Sequence, residues 1–210
     1  MKITKDYTFI WDLDGTLIDS YKVIVSSLFT LSNKYNLNHS KDEINKIVIQ
    51  DSVTTYIELL SKHTNINTEQ LLSEYRAFND IHKDDIELVY NASETLKKIV
   101  ESGALNFIYT HRGSSKNYLL DRLNIKQYFN EIITSENKFK RKPNSDAIRY
   151  LVDKYKLNKD YIFYVGDRNI DIDCAKDADI KAILYKPKNS YCIANGKQDM
   201  IVEDLLEILK

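Results

Sequence analysis

The stretch Tyr7-Thr8-Phe9-Ile10-Trp11-Asp12-Leu13-Asp14-Gly15-Thr16-Leu17-Ile18-Asp19-Ser20 passes from apolar residues into two carboxylates, a glycine and a hydroxyl. Aromatic and β-branched residues suit a short buried strand, and Asp-Gly is a turn signal that ends it. In an open parallel α/β sheet the C-terminal strand ends face the ligand crevice. Asp12 and Asp14, at strand spacing, are therefore expected to point to one side and share a small volume. Like charges so close are tolerated when a hard divalent cation such as Mg²⁺ lies between them, or when one acid keeps its proton. Either arrangement is useful to catalysis. The plain alternative is a strand followed by solvated acids in an Asp-Gly turn.

The elements that must position these acids follow from hydrophobic spacing. Tyr21 to Tyr35 carries Val23, Ile24, Leu28, Phe29 and Leu31 at three- and four-residue intervals, which predicts an amphipathic helix. Ile44, Ile47 and Val48, then Val53 to Leu60, then Leu71 to Phe78 predict further helices separated by polar segments. From about Ser20 to about Asp85 the chain therefore reads as all-helical. Beyond it, strands and helices alternate: a helix from Ala92 to Glu101, a strand at Leu105–Thr110, a helix from about Ser114 to Leu123, and a strand at Glu131–Thr134. A helix over Ser145–Tyr155, a strand at Asp160–Val165, a helix over Ile170–Ala178, a strand at Lys181–Leu184 and a terminal helix over Ile201–Leu209 complete the series. With the first strand this makes a parallel, doubly wound, Rossmann-like α/β sheet of about five strands, interrupted by a helical insertion.

Composition excludes several function classes. The chain has 210 residues, 43% hydrophobic and 29% charged, with a formal net charge of −1, so no global field draws it to nucleic acid or an acidic membrane. In the basic run Lys138-Phe139-Lys140-Arg141-Lys142, the residues before Lys142 read as a solvated loop that raises local phosphate concentration, and Lys142 itself falls among the candidate site residues below. No apolar stretch approaches the ~18 residues that span a bilayer. Cys174 and Cys192 have no metal-type spacing, and the first residues lack a signal-peptide segment, which predicts a cytoplasmic protein. His39, His63, His82 and His111 form no i, i+4 pair for zinc, and the 15 tyrosines read as surface and core rather than a base-stacking platform.

Thr110, Lys142 and Asp167 fall where a strand ends or a loop returns to the sheet edge. Taken in order with Asp12-Leu13-Asp14-Gly15-Thr16, and with Gly166-Asp167-Arg168-Asn169-Ile170-Asp171, they resemble the signature motifs of the haloacid dehalogenase-like hydrolase superfamily. The insertion is similar to the helical cap of the subgroup containing phosphoglycolate phosphatases and β-phosphoglucomutases. The resemblance implies a catalytic core over residues 1–19 and 86–210 and a cap over 20–85. It implies that Asp12 is the nucleophile that forms an aspartyl-phosphate, and that Asp14 is the acid and base. Mg²⁺ would be held by Asp12, the Asp14 backbone carbonyl and Asp167. Thr110 and Lys142 would bind the phosphoryl oxygens, and the following loop His111-Arg112-Gly113 would turn across the phosphate, with His111 and Arg112 counted as substrate-binding. For Arg112 the expected partner is an anionic leaving group or an acid on the cap, against an exposed salt bridge. Asp171 either orients the other ligands or simply faces the first turn of its helix.

The implied activity is Mg²⁺-dependent hydrolysis of a phosphate monoester of a small metabolite, by a monomer or homodimer without nucleic-acid or membrane partners. A phosphosugar mutase uses the same intermediate and passes the phosphoryl group to another hydroxyl. A phosphoacceptor signalling domain also combines acids, Mg²⁺, Thr and Lys, but needs neither the helical insertion nor the Asp-x-Asp spacing. A dehalogenase is disfavoured because that branch lacks the second acid, here Asp14.

Overall fold

The computed structural model describes residues 3–113 and 115–210. In chain order its elements are β1 (Thr8–Trp11), β2 (Ile18–Asp19), α1 (Tyr21–Lys34), α2 (Lys41–Gln50), α3 (Val53–Thr64), α4 (Thr68–Ile81) and β3 (Glu87–Leu88). Then come α5 (Ala92–Glu101), β4 (Leu105–Tyr109), α6 (Ser115–Arg122), β5 (Glu131–Ile133), α7 (Asp146–Tyr155), β6 (Ile162–Gly166), α8 (Asn169–Asp177), β7 (Lys181–Tyr185) and β8 (Met200–Val202). Ser114, where the sequence pattern starts a helix, lies outside the described residues. The chain divides into two compact units: Met1–Asp19 with Leu88–Lys210, and Ser20–Glu87. β2 and β3 form a small two-stranded sheet at the chain positions where one unit gives way to the other.

The larger unit is built on a six-stranded sheet of order β5-β4-β1-β6-β7-β8 in which every neighbouring pair is parallel. Phe9, Ile10 and Trp11 of β1 have no solvent exposure, as a central strand covered on both faces requires. Phe9 stacks on Phe163 of β6 at 5.7 Å, and the Trp11 indole N–H donates to Asn106 Oδ1 of β4 at 2.8 Å. From β1 the chain winds outward through β4 and β5, then returns across β1 to β6 and continues through β7 to β8. The direction reverses between β1 and β6, and at such a switch point the helices diverge and leave a crevice at the carboxyl ends of the strands.

Two expectations are corrected. The sheet has a sixth strand, Met200–Val202, in place of the start of the terminal helix, and Leu205–Leu209 forms 3₁₀ turns opened by the Asp204 side chain accepting from Leu206 N at 2.9 Å. A three-residue edge strand is too short to show a period, so Ile201 and Val202 merge with Leu205 and Leu206 into a false helical pattern. The strand expected from Asp160 begins at Ile162, because Asn158 accepts from Asp160 N at 3.1 Å and folds Lys159–Tyr161 into a 3₁₀ turn.

The smaller unit is helical throughout α1–α4. Its core gathers Ile24, Leu28 and Leu31 of α1, Ile44 and Val48 of α2, Tyr56, Ile57 and Leu60 of α3, and Leu71 of α4. Local sequence sets the starts of these helices. Ser40 and Glu43 form a reciprocal capping box at α2, Ser52 accepts from Thr55 N at α3, and Asn67 accepts from Glu69 N at α4.

Candidate active site

The site is assembled on the strands flanking the switch point. Asp12 directly follows β1, and its N–H donates to the Val165 carbonyl of β6 at 2.8 Å, carrying the ladder one residue past the strand. Asp167 directly follows β6 at the same edge. Asp12, Asp167 and Asp171 are all buried and each places a carboxylate oxygen within 4.8 Å of the others. Asp167 is oriented by Thr16, whose hydroxyl donates to Oδ1 at 3.1 Å.

Asp171 proves central to this cluster. It lies in the first turn of α8 with no exposure, accepts from Arg168 N at 3.2 Å through Oδ2, and accepts from Lys142 Nζ at 2.8 Å through Oδ1. It thus faces its own helix turn through one oxygen and binds the Lys142 ammonium through the other. Gly166 makes room for it, since a Cβ at that position would fall inside the Asp171 side chain.

Lys142 bridges the acids. Unlike the solvated residues expected before it in the basic run, this ammonium is buried, and it donates to both Asp12 Oδ1 and Asp171 Oδ1. Its Nζ also lies over the Tyr109 and Tyr164 rings, at 5.1 and 5.3 Å from their centroids, which favours the cation. The residues flanking Thr110 hold the loop that carries it. The Tyr109 hydroxyl donates to the Lys140 carbonyl at 3.0 Å, and Lys142 N donates to His111 Nε2 at 3.0 Å. With Nε2 accepting, the neutral ring carries its proton on Nδ1, so the Arg141 guanidinium 3.2 Å from Nδ1 is a neighbouring charge and not a donor. His111, expected among the substrate-binding residues, braces the lysine loop through its Nε2 bond. Its ring also lies edge-on to Tyr109 at 6.1 Å, and its bond to the Lys142 backbone spans 31 positions that local sequence does not link.

Thr110 follows β4, is buried, and accepts from Arg112 N at 3.1 Å through its hydroxyl oxygen. Asp14 departs from expectation. Its carboxylate lies outside the acidic cluster and is gripped by Arg112, whose Nε donates to Oδ1 at 3.1 Å and to Oδ2 at 3.0 Å while Nη2 also donates to Oδ1. The reason is local. β1 ends at Trp11, so strand alternation no longer governs Asp14, and Gly15 at φ +82° turns the chain immediately after it. The Arg112 side chain is only 9% exposed, so its pairing is not the surface salt bridge weighed from sequence.

Electrostatics follow from burial. Desolvation pushes the Asp12 carboxyl up to about 7; Lys142 opposes the rise, while Asp171 and Asp167 add to it. Burial works to lower Lys142, but the Asp12 and Asp171 carboxylates outweigh it and hold the lysine above its ordinary value, as an ammonium. Burial, then the Lys142 and Arg141 charges, push His111 down to about 3, so its ring remains a neutral acceptor at working pH. The Cys174 thiol is driven up to about 12 by burial, which leaves it unreactive. Three buried carboxyl groups, two of them bound to one lysine, make a hard-oxygen donor set with excess acid, and this suits a divalent cation such as Mg²⁺.

A family model of haloacid dehalogenase-like hydrolases matches residues 9–185. Pyrophosphatase PpaX of Oceanobacillus iheyensis is 25% identical over 206 residues, covering 96% of this chain and 94% of the relative. Pyrophosphatase PpaX of Bacillus mycoides is 24% identical with the same coverage. Among solved structures, a predicted phosphoglycolate phosphatase from Haemophilus somnus superposes with a TM-score of 0.83 at 23% identity, covering 98% of this chain and 97% of that one. A hydrolase from Pseudomonas syringae gives 0.75 at 20% identity over 97% and 96% of the two chains. The family match includes every residue of the cluster described above, and this chain belongs to the haloacid dehalogenase-like hydrolase family.

Proposed function

We propose that the protein is a Mg²⁺-dependent phosphatase of small phosphorylated metabolites that works through an aspartyl-phosphate on Asp12. The observation that carries this reading is the buried Asp12 carboxylate at the switch point, with Asp167 and Asp171 around it and the Lys142 ammonium bound to it. Relatives named for pyrophosphate hydrolysis and a structural neighbour named for phosphoglycolate support the same class.

In the proposed reaction an Asp12 carboxylate oxygen attacks phosphorus, a P–O bond to Asp12 forms, and the bond to the leaving oxygen breaks. Asp14, once turned from Arg112 and protonated from solvent, gives that proton to the leaving oxygen, then as a carboxylate takes one from a water whose attack on phosphorus breaks the Asp12–phosphate bond and releases phosphate. Lys142 places a cation beside the attacking carboxylate, and the Thr110 hydroxyl is the neutral donor to the phosphoryl oxygens. Asp12, Asp167 and the Asp14 carbonyl would hold Mg²⁺, which when bound offsets repulsion between carboxylate and phosphate. Asp171 and His111 both position Lys142, one through the ammonium and one through the backbone. The helical unit Ser20–Glu87 is assigned as the cap that selects the leaving group.

The test is a phosphate-release screen across sugar phosphates, phosphocarboxylates, nucleotides and pyrophosphate, with and without Mg²⁺, using Asp12→Asn as control. Release that requires Mg²⁺ and is lost in the variant supports the reading. Release of equal rate in Asp12→Asn contradicts it.

A further inference from the structure

Asp14, the acid and base of the proposed reaction, is bound to another residue. Three guanidinium contacts converge on its carboxylate, two from Nε and one from Nη2 of Arg112. The guanidinium is itself fixed by the core: Nη1 donates to Ser115 Oγ at 3.2 Å, and the Arg112 backbone N–H donates to Thr110 Oγ1 at 3.1 Å. The two partners are unequally embedded, with side-chain exposures of 9% for Arg112 and 25% for Asp14. Arginine is therefore the fixed seat and the carboxylate its more accessible occupant.

While Asp14 is turned onto Arg112, its oxygens face the guanidinium and not a leaving oxygen. Moving it away takes three charge-assisted contacts from a nearly buried guanidinium, and another anion can restore them, because a planar fork matches a carboxylate or a phosphate equally well. We propose that Arg112 is a specificity-determining residue that exchanges Asp14 for an anionic group on the leaving side of the substrate. The preferred substrates are then phosphate compounds whose leaving group bears its own phosphate or carboxylate. This rests on the phosphatase reading. The exchange links recognition to chemistry, because the anion that occupies Arg112 is what frees Asp14 to serve the leaving oxygen. A substrate with an uncharged leaving group must break the pair without replacing it.

The experiment compares kcat/KM for inorganic pyrophosphate, 2-phosphoglycolate and 4-nitrophenyl phosphate in the wild-type protein, Arg112→Ala and Arg112→Lys. One set of charge-assisted hydrogen bonds corresponds to roughly 10- to 100-fold. Arg112→Ala should lower the ratio of anionic to aryl substrate by about that factor. Arg112→Lys should recover part of it, since lysine keeps the charge without the fork. Selective loss on pyrophosphate identifies a phosphate as the exchanging anion, and selective loss on phosphoglycolate a carboxylate. Should the alanine variant not fold, Arg112→Gln, which keeps a shorter polar side chain without the charge, gives the same comparison. A wild-type protein active on both classes, with the variants losing the same factor on each or nothing on either, overturns the exchange while leaving the phosphatase reading in place. A wild-type protein that releases phosphate from neither anionic substrate overturns the exchange alone, whereas no release across the whole panel of the phosphatase screen, or an Asp12→Asn variant as active as wild type, overturns the phosphatase reading and the exchange with it.

Discussion

Replacing Lys142 with methionine removes one charge from a buried site while keeping an unbranched side chain of similar length. The ammonium binds Asp12 and Asp171, and its side chain is 1% exposed, so neither acid gains water when the charge is lost. Removing one partner of a buried ion pair costs about 3–5 kcal/mol, a large share of the ~5–15 kcal/mol that holds a domain folded. The cost should depend on pH in a definite direction. Asp12 is raised to about 7 in the folded chain from an ordinary 3.8, so its contribution to stability is fully present below 3.8 and is lost as pH rises through 7. Lys142 holds that rise in check. Without it the Asp12 carboxyl climbs further, and the variant goes on losing stability at pH values where the wild type has levelled off. The gap between the two proteins should therefore widen between about pH 6 and pH 9, by up to ~1.4 kcal/mol for each unit of additional rise. The single tryptophan, Trp11, is fully buried in β1 beside Asp12, so its emission during urea denaturation reports the larger unit alone. Experiments in EDTA at pH 6 and pH 9 measure the gap, and Mg²⁺ should narrow it. A gap of the same size at both pH values, or none, would refute the reasoning that Lys142 balances buried acid.

Other substitutions probe the supports of the same cluster. Gly166→Ala puts a methyl group into the Asp171 side chain and should destabilise the larger unit by at least about 2 kcal/mol, read from the same Trp11 transition; a neutral result would show that Asp171 can move freely. His111→Gln, which can still accept from Lys142 N, should keep turnover within about threefold, whereas His111→Phe should lower kcat by about tenfold or more with little change in KM, and equal effects would remove the acceptor role. His111 is depressed to about 3, so its contribution to stability is present above its ordinary 6.5 and is lost as pH falls toward 3; acid titration of His111→Gln followed by Trp11 emission should be shallower than wild type across that window. Asp167→Ala should shift the Mg²⁺ activation curve to concentrations at least ~10-fold higher, and an unchanged curve would exclude it as a ligand.

The parts of the site that could be read in the sequence are those whose chemistry is local. Asp12 and Asp167 each end an apolar run, and acids at strand ends in an alternating pattern define a sheet edge before any coordinates exist. The helices of Ser20–Glu87 were legible for a similar reason, since capping serines and three- and four-residue spacing occur within each segment. What escaped depends on packing between distant positions. Thr16 reaches Asp167 across 151 positions, Arg112 reaches Asp14 across 98, and His111 reaches the Lys142 backbone across 31. Nothing in His-Arg-Gly distinguishes a phosphate loop from a brace. The signal for Asp171 was present but weak: a glycine before the acidic turn is needed only if a side chain must occupy the space above it.

Asp12 as the covalent nucleophile is the claim on which the remaining assignments depend. The direct measurement uses Asp14→Asn, which should still accept a phosphoryl group from a substrate with a good leaving group but hydrolyse the adduct slowly. After a short pulse of 4-nitrophenyl phosphate and Mg²⁺ and an acid quench, peptide mass spectrometry should find one phosphoryl group on Asp12, and none in the Asp12→Asn, Asp14→Asn double variant. A phosphoryl group on any other residue, or turnover at the wild-type rate with Asp12 replaced, would contradict the account.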